Sequence, residues 1–330
     1  MENSFLSLIK KDFRMMLSGR FFLLALGSLI LYSCYINLVY VKTDQDIYPV
    51  YLFDPAGKQR NPSAEVISVN SKEGLQKVCL DGYAVGIDAS GDTTEIIMVS
   101  SGSSKSDHHR GAYAQSLLWN TGGSRALVMG NNNKEMKNRR EITSEFLFFE
   151  LTAVGFLGVA STLFKEKQMG VIRVHSILPV SKAAFIGSKL LLFILSDVLF
   201  AVLLTIINLG IPSALAVMPD VLLQVGILST IMSLTGFLCA VWIPDFKQFS
   251  LLYLVLAIFI TIPVFLAGQT SVSWGWINFH PMYHLFMAMK NAYFGTPDSN
   301  SIYYLVCIAV IGFLFYFARR VLSREMAKEG

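Results

Sequence analysis

Charge is scarce in this chain. Only 15% of its 330 residues are Asp, Glu, Lys or Arg, against about 25% in a typical soluble domain. That deficit excludes a disordered polymer, which combines high charge with low hydrophobicity, and it argues against an ordinary soluble enzyme. Cysteine is equally sparse. Cys34, Cys79, Cys239 and Cys307 form no disulfide framework, and their spacing fits no zinc pattern. Phosphate-loop chemistry is also missing. Gly86-Ile-Asp-Ala-Ser-Gly91 has the glycine spacing, but Asp92 stands where lysine is needed, and an acid there repels phosphate. Asp107-His108-His109 reads as part of an exposed Ser-rich loop, where adjacent side chains rarely converge on one ion. Residue order alone shows no Ser-His-Asp set and no carboxylate pair. The reading therefore assigns no catalytic, cofactor-binding or metal-binding residue to the chain.

Apolar sequence is what the chain has in excess: 53% of residues are hydrophobic and the mean hydropathy is +0.52. Crossing about 30 Å of hydrocarbon takes roughly 20 apolar residues. Six segments qualify: 21–41, 146–164, 190–211, 221–243, 249–268 and 301–318. Two of them hold a single acid, Glu150 and Asp197, and the other four hold no charge. The expected fold class is an all-α polytopic membrane protein with six transmembrane helices. The first span is too long for a signal-peptide core and reads as a retained helix.

Lys and Arg in short loops set orientation. With the N-terminus inside, residues 1–20, 165–189, 244–248 and the segment from Arg319 place 14 basic residues on the inner side. The short outer loops 212–220 and 269–300 hold only Lys290. Both termini are then cytoplasmic, and the expected location is a bacterial plasma membrane. The net charge of +4 follows from this inner rim, which suits lipid headgroups, so no nucleic-acid partner is expected.

Residues 42–145 are long enough for a folded unit. Strand-like runs occur at 48–53, 65–69, 83–87 and 95–99, and helical spacing at 71–80. The expectation is a small extracytoplasmic α/β domain, followed by a polar helix over 111–142 leading into the second span. Three amphipathic pieces flank the membrane. Residues 2–18 set Phe5, Leu8, Ile9, Phe13, Met16 and Leu17 against Lys10, Lys11 and Arg14, the pattern of a flat interfacial helix. Residues 165–189 are charged, then amphipathic, then stopped by Pro179, with Lys182 after it. Residues 274–296 are aromatic, broken by Pro281 and Gly295, and suit two short helices dipping into the outer leaflet with Trp274 and Trp276 at headgroup level. Residues 146–330 hold the remaining five spans.

Lys165-Glu166-Lys167-Gln-Met-Gly170, then Ile177-Leu178-Pro179-Val180-Ser181 and Lys189, together with His280-Pro281-Met-Tyr-His-Leu ending near Gly295, resemble one family over nearly the whole chain. They look like the export permeases of type-2 ATP-binding-cassette (ABC) transporters, in the branch with a large extracytoplasmic domain between the first two helices. The resemblance implies a coupling helix within 165–189 that docks on a separate ABC ATP-binding subunit. That subunit would hold ATP and Mg and hydrolyse the nucleotide, so this chain would be no enzyme and would bind no cofactor. A second permease chain, identical or related, would complete the path for an exported substrate of open class. Glu166, Lys167, Gly170, Arg173, Pro179 and Lys182 are the coupling candidates, with Glu166, Lys167 and Arg173 at an exposed rim and Glu166 and Arg173 to pair with the ATPase. Two other classes stand beside this one. A secondary transporter would show internal repeats and midplane ionisable groups. A receptor or sensor would use 42–145 to hold a ligand. Asp197 is expected to face protein or water. Glu150 should lie about 13 Å from it in depth, by helix rise and bilayer thickness, and so should not be its partner.

Overall fold

A computed structural model describes residues 2–40, 49–57, 66–81, 84–91, 93–100, 104–118, 125–131, 134–177, 181–269, 275–296 and 301–329. In chain order the elements are α1 (Glu2–Ser18), α2 (Phe21–Cys34, continued by a π-helical turn Tyr35–Tyr40), β1 (Val50–Phe53), β2 (Val66–Ser68), α3 (Lys72–Asp81), β3 (Val85–Asp88), β4 (Glu95–Ser100), α4 (Ser104–Ser116), β5 (Arg125–Asn131), α5 (Lys134–Gln168), α6 (Val171–Ile177), α7 (Lys182–Leu209), α8 (Ile211–Trp242), α9 (Phe246–Gln269), a 3-10 turn (Gly275–Phe279), α10 (Pro281–Phe294) and α11 (Ser301–Glu329). They form two compact units, Tyr35–Arg139, and Met1–Cys34 with Arg140–Gly330. The first unit starts seven residues and stops six residues earlier than the expected 42–145.

The unit Tyr35–Arg139 holds a five-stranded sheet in the order β2-β1-β3-β4-β5. β2, β1 and β3 run parallel, β4 is antiparallel to β3, and β5 is parallel to β4. One face buries Val50, Leu52, Val85, Ile87, Ile96 and Met98 with Ala114 of α4. The other packs Ile97 on Leu75 and Cys79 of α3. Helices thus cover both faces, which is why the strands read as apolar runs with little alternation. The fifth strand corrects an expectation. Residues 125–131 were assigned to a polar helix, yet Ala126-Leu127-Val128-Met129 is a short apolar run between glycine and asparagine, the mark of a strand. His108 and His109 likewise lie exposed on α4, on a helix and not on a loop.

Asp88 closes β3 with its carboxylate buried. Lys72 Nζ lies 2.7 Å from its Oδ2, and Ser90 donates to Oδ1 from both its backbone N and its Oγ. Burial pushes the carboxyl upward, but Lys72 and Ser90 outweigh it and hold it below the usual carboxylate range. The hydrogen bond and charge of Asp88 hold Lys72 above its ordinary value.

In the helical unit six helices are long and apolar enough to cross a membrane: Phe21–Tyr40, Glu135–Gln168, Lys182–Leu209, Ile211–Trp242, Phe246–Leu266 and Ser301–Ala327. The chain is a multi-pass membrane protein by that criterion. Several helices outrun the predicted spans. α8 begins at Ile211, so the expected outer loop 212–220 is helical. Gly210 alone makes the turn. Pro212 sits in the first turn of α8, where its missing N–H is harmless.

α8 is the centre of the unit and packs on α7, α10 and α11. Small residues let α5 approach it. A Cβ on Gly236 would stand 2.3 Å from the backbone oxygen of Phe156, and one on Gly155 would stand 3.0 Å from Met232. Polar pairs tie the remaining helices. Tyr303 donates to Gln224 at 2.8 Å, joining α11 to α8, and Tyr293 and Thr205 share a hydrogen bond of 2.7 Å between α10 and α7. Lys290 of α10 pairs with Glu141 of α5.

Two outcomes follow. Gly236→Ala should lower stability by about 1–3 kcal/mol through overpacking. Gly226→Ala, on the same helix with nothing within 4 Å, should raise it by roughly 0.5–1 kcal/mol through helix propensity. Thermal unfolding in detergent checks the opposite signs. The second outcome concerns pH. The depressed Asp88 carboxyl stabilises the fold above an unfolded value of about 3.9 and loses that effect as pH falls through its lower folded value. The raised Lys72 stabilises below about 10.4 and loses its effect as pH rises through its higher folded value. The melting difference between wild type and Asp88→Asn should therefore be flat at neutral pH and shrink at both extremes. A difference independent of pH would show that the pair contributes no charge-based stability.

Candidate functional site

α1, the end of α5, α6, the start of α7, the start of α9 and the end of α11 carry most of the basic side chains of the helical unit. Two of them, Lys11 and Lys189, are paired inside the protein. Glu166 is 0% exposed, Lys189 1% and Asp12 2%. Lys189 Nζ donates to Asp12 Oδ1 at 2.9 Å and to Glu166 Oε1 at 2.8 Å. Lys11 pairs with the same Glu166 oxygen, and Ser188 Oγ donates to Asp12 Oδ2 at 2.7 Å. Both ammonium groups lie over the Phe185 ring, Lys189 at 4.5 Å and Lys11 at 5.3 Å. Two cations and two anions thus join α1, α5 and α7 in a cluster of zero net charge.

Glu166 therefore does not sit at an exposed rim, as the sequence suggested. It occupies the last turn of α5, on the side that meets α1 and α7, and burial obliges it to take internal cations. Lys167, its neighbour, points elsewhere. Its Nζ donates to the carbonyl oxygens of Ala240 at 2.8 Å, Val241 at 2.9 Å and Ile243 at 3.3 Å. A lysine is well suited to these orphan acceptors at the end of α8. Adjacent residues of α5 are thus fixed to three other helices.

The chain then turns. Gly170 adopts φ +67°, a left-handed conformation that favours glycine. α6 follows, with Ile172 buried and Val174 exposed, while Met169 before it is 60% exposed. His175 Nδ1 lies 2.9 Å from the Val171 oxygen and its ring lies on Phe185. Pro179 lies outside the described residues, as does Trp274, and the side chain of Arg173 is likewise not described. α7 restarts with Ser181 as N-cap, its Oγ accepting from Ala184 N at 3.1 Å, and Lys182 half-buried in the first turn.

α1 adds a third face to the expected apolar and basic ones. Its buried stripe is Leu8, Asp12 and Met16. Phe13, expected on the apolar face, is exposed beside Leu6 and Leu17, next to Lys10 and Arg14. The helix therefore carries three stripes: one toward the protein, one apolar and one basic. Asp12 was missed as a site residue, although an acid flanked at four-residue spacing by Leu8 and Met16 is a readable signal.

The two acids of the spans have separate partners. Glu150 accepts from Ser28 Oγ at 2.7 Å and Tyr32 OH at 3.0 Å. Asp197, 2% exposed, accepts from Ser229 Oγ at 2.5 Å. In the other unit, a cavity of about 250 Å³ at the ends of β1 and β2 is lined by Leu52, Phe53, Asp54, Pro55, Ser68, Val69 and Asn70. Among the described residues no three His, Cys, Asp or Glu side chains could hold a metal ion together. No family model, no curated protein and no solved structure matches the chain.

The cluster predicts its own energetics. Lys189→Met leaves two buried carboxylates with one cation and should cost about 3–5 kcal/mol. Adding Asp12→Asn to it should cost much less than the sum of the two single losses, because members of one network do not add. Thermal unfolding with limited proteolysis of α1 measures both. Strictly additive losses would mean that the charges act separately.

Proposed function

We propose that this chain is the permease subunit of an ABC exporter, embedded in a plasma membrane with both termini cytoplasmic. The observation that carries the reading is α6. It is a short amphipathic helix between two spans at the basic end, with pinned roots and exposed apolar side chains. Glu166 and Lys167 fix the chain before it, Lys189 fixes the chain after it, and Met169 and Val174 face outward. A helix so mounted suits force transfer: a partner pressing on it moves α5 and α7 together. Gly170 lets the element turn tightly away from α5.

In this reading ATP and Mg bind in a separate ATP-binding subunit, which performs the hydrolysis. A second permease chain completes the path, and the lipid bilayer contacts α1 through Leu6, Phe13 and Leu17, with Lys10 and Arg14 toward headgroups. Docking uses the exposed Met169 and Val174 more than Glu166, whose charge is already neutralised inside. Arg173 and Lys182 remain candidates for the rim. The unit Tyr35–Arg139 is the extracytoplasmic α/β domain, consistent with the 14-to-1 bias of Lys and Arg in short loops.

The full chain, affinity-purified from its own membranes, should bring with it an ABC-type ATPase, and the complex should hydrolyse ATP. Gly170→Val, which strains a left-handed residue, should cut that turnover several-fold with insertion unchanged. A membrane-impermeant thiol reagent should label Ala112→Cys, an exposed position on α4, in intact cells of a cysteine-free variant. A chain that purifies alone, or that labels only after lysis, refutes the reading.

A further inference from the structure

α11 runs beside α8 in the same direction. Tyr303 and Tyr304 meet Gln224 near one end, and the Phe317 ring lies 6.3 Å from Trp242, the last residue of α8. The helix then continues past α8 for about three further turns to Glu329. This extension is amphipathic in a telling way. Ala318, Val321, Leu322 and Met326 are buried, between 0% and 8% exposed, while Arg319, Arg320 and Arg324 face outward. A free basic tail would bury none of these. α11 packs on α6 and on α7, and α6 follows the end of α5, where Lys167 meets the last carbonyls of α8. The stretch of α11 at that end runs from Phe317, beside Trp242, into the extension.

We infer that Val321, Leu322 and Met326 are positioning residues that brace α6 from behind, so that its exposed apolar side can bear load. The inference rests on the reading of α6 as the coupling helix. A helix of seven residues has no stability of its own. Its roots are fixed by Glu166, Lys167 and Lys189, but these hold the ends and not the middle. Ile172, 1% exposed, gives the middle an apolar anchor, and the buried stripe of the extension is the surface that α11 offers it. The extension thereby links α6 to α8, since α11 is clamped to α8 through Gln224 and Trp242. Movement of α6 would then reach the centre of the bundle by a second route besides α5 and α7.

Leu322→Asn and a chain ending at Ala318 test this, with Leu322→Met as the conservative variant. Hydrogen exchange of the full-length variants in detergent should rise at least tenfold in residues 171–177, with α8 and α10 unchanged, and Leu322→Met should keep wild-type exchange. In the purified complex Leu322→Asn should retain the bound ATPase but lose most of its stimulated turnover, and Leu322→Met should restore it. Unchanged exchange in 171–177 overturns the brace. Raised exchange with wild-type turnover overturns its role in coupling. If the wild-type chain purifies without any ATPase, the permease reading fails, and the exchange data alone decide whether the brace exists.

Discussion

Burying Glu166 is the constraint from which the basic end of this protein follows. A carboxylate that loses water meets a penalty of several kcal/mol unless cations and donors replace its hydration shell. Lys189 and Lys11 supply the cations, but Lys189 is itself buried and needs a second anion, which Asp12 provides. Asp12 in turn takes its remaining bond from Ser188. The four charges therefore make sense only together, and together they require α1, α5 and α7 to meet at one point. Their hydrophobic setting is equally fixed, because both ammonium groups rest on Phe185.

The membrane depth of the bundle solves a milder form of the same problem with neutral donors. Glu150 is served by two hydroxyls from α2 and Asp197 by one from α8. Tyr32 contributes twice, since its ring stacks on Phe146 at 4.6 Å while its hydroxyl reaches Glu150. Hydroxyl donors cost little to bury when both partners are satisfied. They also hold α2, which is otherwise thinly covered by protein, against α5. The acids of the spans are thus in part helix-packing groups, whatever else they do.

How far the sequence reached depends on whether a signal was local. Hydropathy located six long helices because each crossing is a property of one segment. The strands at 50–53, 66–68, 85–88 and 95–100 were visible as short apolar runs between turn residues. β5 was lost because polar residues on both sides outweighed a four-residue apolar core. Residues 212–220 were read as a loop because they fall between two apolar runs, yet Pro212 occupies a permitted first-turn position and Pro219 lies inside α8. The site was less legible than the fold. Charge identity marked Glu166 and Lys167, but whether a charge faces water or a distant partner is a long-range property. Glu166 and Asp12 are far apart in sequence, and nothing near either one announces the other.

The three amphipathic segments at this end illustrate one physical rule. α6 is too short to stand alone, α1 has only a narrow buried stripe, and the α11 extension buries one side and exposes three arginines. None has enough apolar surface for independent stability. Each is docked on the longer helices of the bundle. The docking differs in kind. α1 is held by charge through Asp12 and Lys11, α6 by fixed ends, and the extension by a continuous apolar stripe. Charge and apolar contacts respond to different perturbations: salt weakens exposed ionic contacts but hardly touches a buried cluster or an apolar stripe. An end built from buried contacts of both kinds keeps its shape while its outer face, Met169, Val174 and the exposed arginines, stays free to meet another surface.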